Sequence, residues 1–143
     1  MNYSIILKII GIMLILFSLM LFIPISVSLF YNDGNLETFL NSFMITLFFG
    51  LILYLPNIKS KNDIKTKEGF LIVVLFWFIL SLFGSIPFMF DKQLSLSFID
   101  AFFESISGWT TTGATVISNI DILSPSLLIY RQELQWLGGM GIV

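Results

Sequence analysis

Cysteine and histidine are both missing from this chain, and charge is scarce. Their absence excludes disulfides, thiolate or imidazole metal ligands, a cysteine nucleophile and a histidine base. Only 11% of the 143 residues are charged, where a soluble domain carries roughly one quarter. A net charge of −2 and no lysine-rich face leave nothing to attract a nucleic acid. Apolar bulk takes the place of charge: 57% of residues are hydrophobic and the mean hydropathy is +0.96. A water-soluble fold of this size has too little interior to hide that surface, so the bilayer is its natural solvent. The sixteen phenylalanines and three tryptophans then read as lipid-facing or core filler, not as a cofactor box.

Three uncharged stretches, Ile9–Asn32, Thr38–Ile58 and Gly69–Phe90, are each long enough to cross about 30 Å of hydrocarbon as a helix. The first is too long for a signal-peptide core and has no small-residue cleavage site after it, so it reads as an uncleaved membrane helix. The link between the first two is short and holds Asp33 and Glu37. The next link gathers Lys59, Lys61, Lys65 and Lys67 against only Asp63 and Glu68. The positive-inside rule makes this lysine link cytoplasmic; Lys8 sets the N-terminus on the same side, with Asp33, Glu37 and Asp91 outside.

After Asp91 the pattern changes. Leu94–Ser107 would reach only about 21 Å as a helix, too short to span. It carries Asp100 and Glu104, with apolar residues at helical spacing (Phe98, Ile99, Phe102, Phe103, Ile106). Gly108 is expected to end it. A polar, non-helical run follows from Thr110 to Ser124. Ser124 and Pro125 then look like an N-cap and first-turn proline of a further helix running to Val143. With no polar flank after Gly141-Ile142-Val143, the chain reads as the N-terminal piece of a longer protein. A half-length helix and an irregular Thr/Gly loop between spanning helices is the layout of an ion-channel pore module, because irregular backbone is tolerated at membrane depth only where protein or water covers it.

Thr110-Thr111-Thr112-Gly113-Ala114-Thr115 suits a hard monovalent cation. Rings of backbone carbonyls can replace a hydration shell without adding fixed charge, so the ion binds and still leaves. Gly113 can adopt positive φ without steric cost, and the β-branched threonines favour extended geometry and offer hydroxyl oxygens. By itself such a string is more often a turn or strand end; its position after the short helix is what makes it informative.

Asp100-Ala101-Phe102-Phe103-Glu104-Ser105, Ser107-Gly108 and Thr110 to Thr115 together resemble the first pore segment of the Trk-type potassium uptake family, in its TrkH branch. Tyr130-Arg131-Gln132 and Gln135-Trp136-Leu137-Gly138-Gly139-Met140-Gly141 resemble the start of the helix after that filter. The lysine link and the stretch from Glu68 to Trp77 match as well. The resemblance implies an all-α membrane protein of the bacterial inner membrane, with two extra N-terminal helices (residues 1–58), a cytoplasmic lysine-rich loop (59–68) and the first of four helix–re-entrant pore helix–helix repeats (69–143). It implies potassium as transported ligand, with Thr111 and Thr112 as ligands, Gly113 as the filter glycine and Thr110 as a weaker candidate. It further implies a homodimer embedded in membrane lipid and a cytoplasmic nucleotide-binding partner, TrkA. No enzymatic chemistry and no cofactor are expected.

Two residues depart from the family pattern: Trp109, where a smaller apolar residue is usual, and Glu133, where leucine or methionine is usual. A carboxylate there needs water or a base, and Arg131 and Lys92 are the nearest bases in sequence. Asp100 and Glu104 read either as an external cation funnel or as acceptors for backbone amides that hold the filter. Arg131 reads as a pairing residue, Gly138, Gly139 and Gly141 as close-packing positions rather than a hinge, and Tyr130 and Trp136 as interface anchors. Two rival readings are a small homotetrameric potassium channel, which would leave the first two helices unexplained, and a non-conducting membrane scaffold or regulatory subunit.

Overall fold

A computed structural model of the chain describes residues 3–60 and 65–142; Lys61, Asp63 and Val143 lie outside the described residues. Regular structure there is entirely helical: α1 Tyr3–Met20, α2 Phe22–Tyr31, α3 Leu36–Tyr54, α4 Thr66–Gly84, α5 Ile86–Phe90, α6 Phe98–Trp109 and α7 Pro125–Ile142, with 3-10 turns at Leu55–Asn57 and Ile120–Ile122. Three helical stretches are long and apolar enough to cross a membrane: Tyr3–Tyr31, Leu36–Asn57 and Thr66–Phe90, of 29, 22 and 25 residues.

The first stretch begins earlier than the apolar run predicts, at Tyr3, because Lys8 does not interrupt the helix. Its ammonium donates to the Ile58 and Ser60 carbonyls (2.9 and 3.0 Å) at the far end of the second stretch. The first and third stretches each break just before a proline. Pro24 and Pro87 lack the N–H that would bond the Met20 and Phe83 carbonyls. The chain adjusts at Leu21, whose N–H turns to Ser18 (3.2 Å), and at Ser85, whose N–H is shared between Ser81 and Leu82 (3.1 and 3.4 Å).

α1 and α3 form an antiparallel hairpin that closes at two glycines. A Cβ on Gly11 would lie 2.7 Å from the Tyr54 nitrogen and 2.9 Å from the Gly50 carbonyl, and one on Gly50 would lie 2.9 Å from Ile15 Cγ1. Small residues let backbones approach this closely where no hydrophobic force drives helices together. α7 packs on both α2 and α6, α6 packs on α4, and α1 packs on α4, so the hairpin and the later helices share one core. Leu14, Phe39, Phe88, Leu127, Tyr130 and Leu134 lie fully buried in it. Phe30, Phe70, Val74 and Ile99 point outward, as lipid-facing side chains would.

Two polar clusters mark the ends of the hairpin. Lys8 and Ser60 meet at one end. Asp33, Asn35, Ser124 and Ser126 meet at the other, where Lys92 and Glu37 form an exposed pair at 4.0 Å.

Candidate functional site

α6 is 12 residues long, begins at Phe98 rather than Leu94, and is capped by Ser97, whose hydroxyl oxygen accepts from the Asp100 amide at 3.2 Å. The Ser97 hydroxyl donates in turn to Asp100 Oδ2 (2.7 Å), so Asp100 completes a cap. The cap overrides the apolar spacing that suggested an earlier start.

Gly108 does not end the helix. It lies inside it, where a Cβ would come 3.0 Å from Leu134 Cβ, so its value is the space it leaves for α7. The helix ends at Trp109, and the Thr111 and Thr112 amides bond back to the Gly108 and Ser107 carbonyls, both at 3.0 Å. These are the paired bonds of a Schellman motif, whose left-handed position is usually glycine. Here Thr111 holds it, with φ of 56°. A β-branched residue in that region is a true outlier that costs on the order of 1–3 kcal/mol. The expectation of extended threonines therefore fails at Thr111. Gly113 does take positive φ (74°), as its missing side chain allows.

The threonine hydroxyls are not equivalent. Thr110 Oγ1 donates to the Ile106 carbonyl (2.7 Å), which leaves the Thr112 hydroxyl as donor in its 2.8 Å contact with Thr110 Oγ1. Every residue from Thr110 to Val116 is exposed, and a Cβ on Gly113 would meet nothing within 4 Å. The open side of this segment is thus free of the chain's own atoms.

Its other side is tied down from α6. Ser107 Oγ donates to the Ala114 carbonyl (2.7 Å). One turn earlier, Glu104 Oε1 accepts from the Val116 amide (2.6 Å) and from the Thr115 hydroxyl, while Oε2 accepts from Arg131 Nε on α7 at 3.1 Å. Both partners of this ion pair are buried. Burying a charge is costly unless it is paired and its remaining lone pairs are filled, and here both conditions hold. Glu104 therefore acts as an acceptor that holds the loop, while Asp100 caps its own helix.

α7 seats against the same region. Gly138 lies so close to the Trp109 carbonyl that a Cβ would collide with it, so the close-packing reading holds there, whereas a Cβ on Gly139 or Gly141 would make only ordinary contacts at 3.7 Å. Trp109 is buried edge-on to Phe17 and Phe76, centroids 5.4 and 5.9 Å away, so its bulk fills the junction of α1, α4 and α6. Tyr130 is not an interface anchor: it is fully buried, and its hydroxyl donates to the Gly84 carbonyl (2.7 Å). Trp136 is exposed. Neither base suggested for Glu133 reaches it, since Arg131 pairs with Glu104 and Lys92 with Glu37. Both Glu133 oxygens are buried without a hydrogen-bond partner among the described residues.

The sequence profile of the TrkH family, described as a cation transport protein, matches residues 35–143. The chain belongs to the TrkH family. It is 50% identical over all 143 residues to the Trk system potassium uptake protein TrkH of Halomonas elongata and 48% identical to that of Escherichia coli K12. An uncharacterized cation transporter of Methanocaldococcus jannaschii is 35% identical over 139 residues. The crystal structure of the potassium transporter TrkH from Vibrio parahaemolyticus superimposes with a TM-score of 0.95 at 47% identity over 99% of this chain. The chain spans 30% of the length of the two curated TrkH relatives and of that solved structure.

Asp33 entered the sequence reading only as a topology marker and Asn35 not at all, while Ser107 and Thr115 entered as motif positions without the bonds they make. Serine, threonine and asparagine are so common at turns that only their partners, distant in the chain, reveal what they hold.

Proposed function

We propose that this chain supplies one strand of the potassium-selective filter of a Trk-type uptake protein. The observation that carries the reading is the Thr110–Val116 segment, open on one side and fastened on the other by Ser107, Glu104 and Arg131. A carbonyl-lined filter needs that combination: oxygens presented to an axis, and a rigid back wall that fixes ring diameter. Thr111 and Thr112 supply the ligands and Gly113 the turn. Thr110 contributes less, because its hydroxyl is committed to Ile106. Dehydrated potassium passes along carbonyl and hydroxyl oxygens with no covalent step.

In this reading α6 is a re-entrant pore helix whose negative C-terminal pole points at the ion. Residues 1–58 are two additional helices, 59–68 a cytoplasmic loop, and 69–143 the first of four repeats around one pore. The shared end of Lys8 and the lysine link supports a cytoplasmic N-terminus in the bacterial inner membrane. A homodimer, surrounding membrane lipid and a cytoplasmic nucleotide-binding subunit of the TrkA kind complete the assembly.

The test is a chimaera in which this chain replaces the matching 30% of the Vibrio parahaemolyticus transporter, expressed in cells lacking potassium uptake. The chimaera restores growth at low potassium, and Thr112→Pro or Gly113→Asp abolishes it. Residues 1–143 expressed alone do not restore growth. Transport unchanged by either filter substitution would favour a scaffold role instead.

A further inference from the structure

The link between α2 and α3 does more than reverse the chain. Asn32 and Gly34 both take positive φ (51° and 83°), making a tight turn that presents Asp33 to the start of α7. Asp33 Oδ1 accepts from the Ser28 hydroxyl (2.6 Å) and the Asn35 amide (3.2 Å), and Oδ2 accepts from the Ser126 amide at 3.0 Å. Beside it, Asn35 Nδ2 donates to Ser124 Oγ (2.6 Å) and Ser126 Oγ (3.4 Å). Ser28, Asn35, Ser124 and Ser126 are all buried.

A helix usually caps itself, the N-cap side chain accepting from an amide two or three residues on. Ser124 occupies that position ahead of Pro125, yet its hydroxyl oxygen receives Asn35. The oxygen that accepts from the first turn of α7 comes instead from Asp33, 93 residues earlier in the chain. A carboxylate at a helix N-terminus also gains from the helix dipole.

The placement matters because α7 begins where the Thr110–Ser124 segment ends. That segment is fastened near its start by Ser107 and Glu104 and, at its far end, through Ser124 and Ser126 to the hairpin. Between those points the hydrogen bonds are local, from the Ile117 N–H to Thr115 Oγ1 (3.0 Å) and from the Leu123 N–H to the Ile120 carbonyl (3.1 Å). Ile117 and Leu123 also bury their side chains in the core, so the two polar fixings set the ends of a stretch whose middle is held by apolar packing.

We propose that Asp33 is a positioning residue for ion selectivity: the hairpin outside the pore repeat holds the exit of the filter segment through the Asp33–Ser126 and Asn35–Ser124 bonds. The proposal rests on the filter reading above. When the clasp opens, the start of α7 shifts, and the filter segment samples wider arrangements that accept sodium as well as potassium.

The test uses the same chimaera, reading the ratio of potassium to sodium uptake together with transporter abundance. Asp33→Ala lowers the ratio by about threefold to tenfold, the scale set by losing a helix cap, at tenfold per 1.4 kcal/mol. Asp33→Asn, which keeps a capping oxygen, falls between. Ser126→Pro removes the accepted N–H in the first turn of α7, where proline is tolerated, and it reproduces the Asp33→Ala ratio even if Asp33→Ala accumulates poorly. Glu37→Gln, nearby in the first turn of α3 but exposed, leaves the ratio unchanged. Hydrogen exchange on the purified chimaera shows faster exchange of the 117–126 amides in Asp33→Ala. An unchanged ratio, or potassium and sodium uptake falling together with abundance, overturns the proposal. A parent chimaera indifferent to Gly113→Asp overturns the filter reading instead, and unchanged exchange at 117–126 overturns the clasp on its own terms.

Discussion

The hairpin of α1 to α3 and the unit from α4 to α7 share one core but treat polar groups differently. In the hairpin the buried polar side chains are uncharged, and Ser18, Ser42 and Thr46 spend their hydroxyls on carbonyls of their own helices (2.7, 2.7 and 2.8 Å). The buried charges among the described residues (Glu68, Asp91, Glu104, Arg131 and Glu133) all fall in the second unit. Burying a charge is expensive; Glu68, Asp91, Glu104 and Arg131 each make directional hydrogen bonds, whereas Glu133 has none among the described residues. The hairpin is held by close backbones at Gly11 and Gly50; the second unit is held by an ion pair that also grips a loop. One region is built to be packed, the other to present an irregular segment in a fixed shape.

The sharpest way to break this contrast is to delete the acceptor. Glu104→Ala strands Arg131 and the Val116 amide, and is expected to cost about 3–5 kcal/mol, read as a lowered thermal midpoint in detergent. Thr46→Ala in the hairpin costs no more than about 1 kcal/mol by the same measurement. If the two cost alike, the contrast is empty. Gly138→Ala comes next: the new Cβ meets the Trp109 backbone, which cannot rotate away, and about 1–3 kcal/mol is lost. Thr111→Gly goes the other way. Relieving the left-handed threonine stabilises the chimaera by about 1 kcal/mol, while removing a hydroxyl from the filter segment.

A smaller effect concerns Asp33. Burial raises its carboxyl, but hydrogen bonds from Ser126, Ser28 and Asn35 outweigh this and hold it below the ordinary 3.8. A depressed folded-state value gives stability that is present above pH 3.8 and lost as pH falls through the lowered value. The difference in thermal midpoint between the parent and Asp33→Asn therefore persists from neutrality to mild acid and shrinks below pH 3.8. Smallest of all is Glu37→Gln, which breaks only an exposed pair with Lys92 and shifts stability by less than about 0.5 kcal/mol.

Hydropathy made the three spans legible, with ends within three residues except the first start, which lies at Tyr3 and not Ile9, because twenty apolar residues in a row have few other uses. It did not reveal the breaks at Leu21 and Ser85, although Pro24 and Pro87 were visible, because a proline tolerates either a kink or a first helical turn. The short helix α6 was legible in kind and misplaced at both ends. Ser97 supplied a cap that overrode apolar spacing, and Thr111 took a conformation that composition assigns to glycine. The Thr110 to Gly113 stretch stood out through its residue types. What holds it did not, since the bonds among Glu104, Val116 and Arg131, and between Asp33 and Ser126, join residues whose sequence separation carries no periodic signal.

The most direct measurement of the central claim is a crystal structure of the chimaera grown with thallium or rubidium, located by anomalous scattering. The account predicts an ion in direct contact with the backbone carbonyl oxygens of Thr111 and Thr112, lost in Gly113→Asp. Ions elsewhere on the pore axis with none at Thr111 and Thr112 would contradict it.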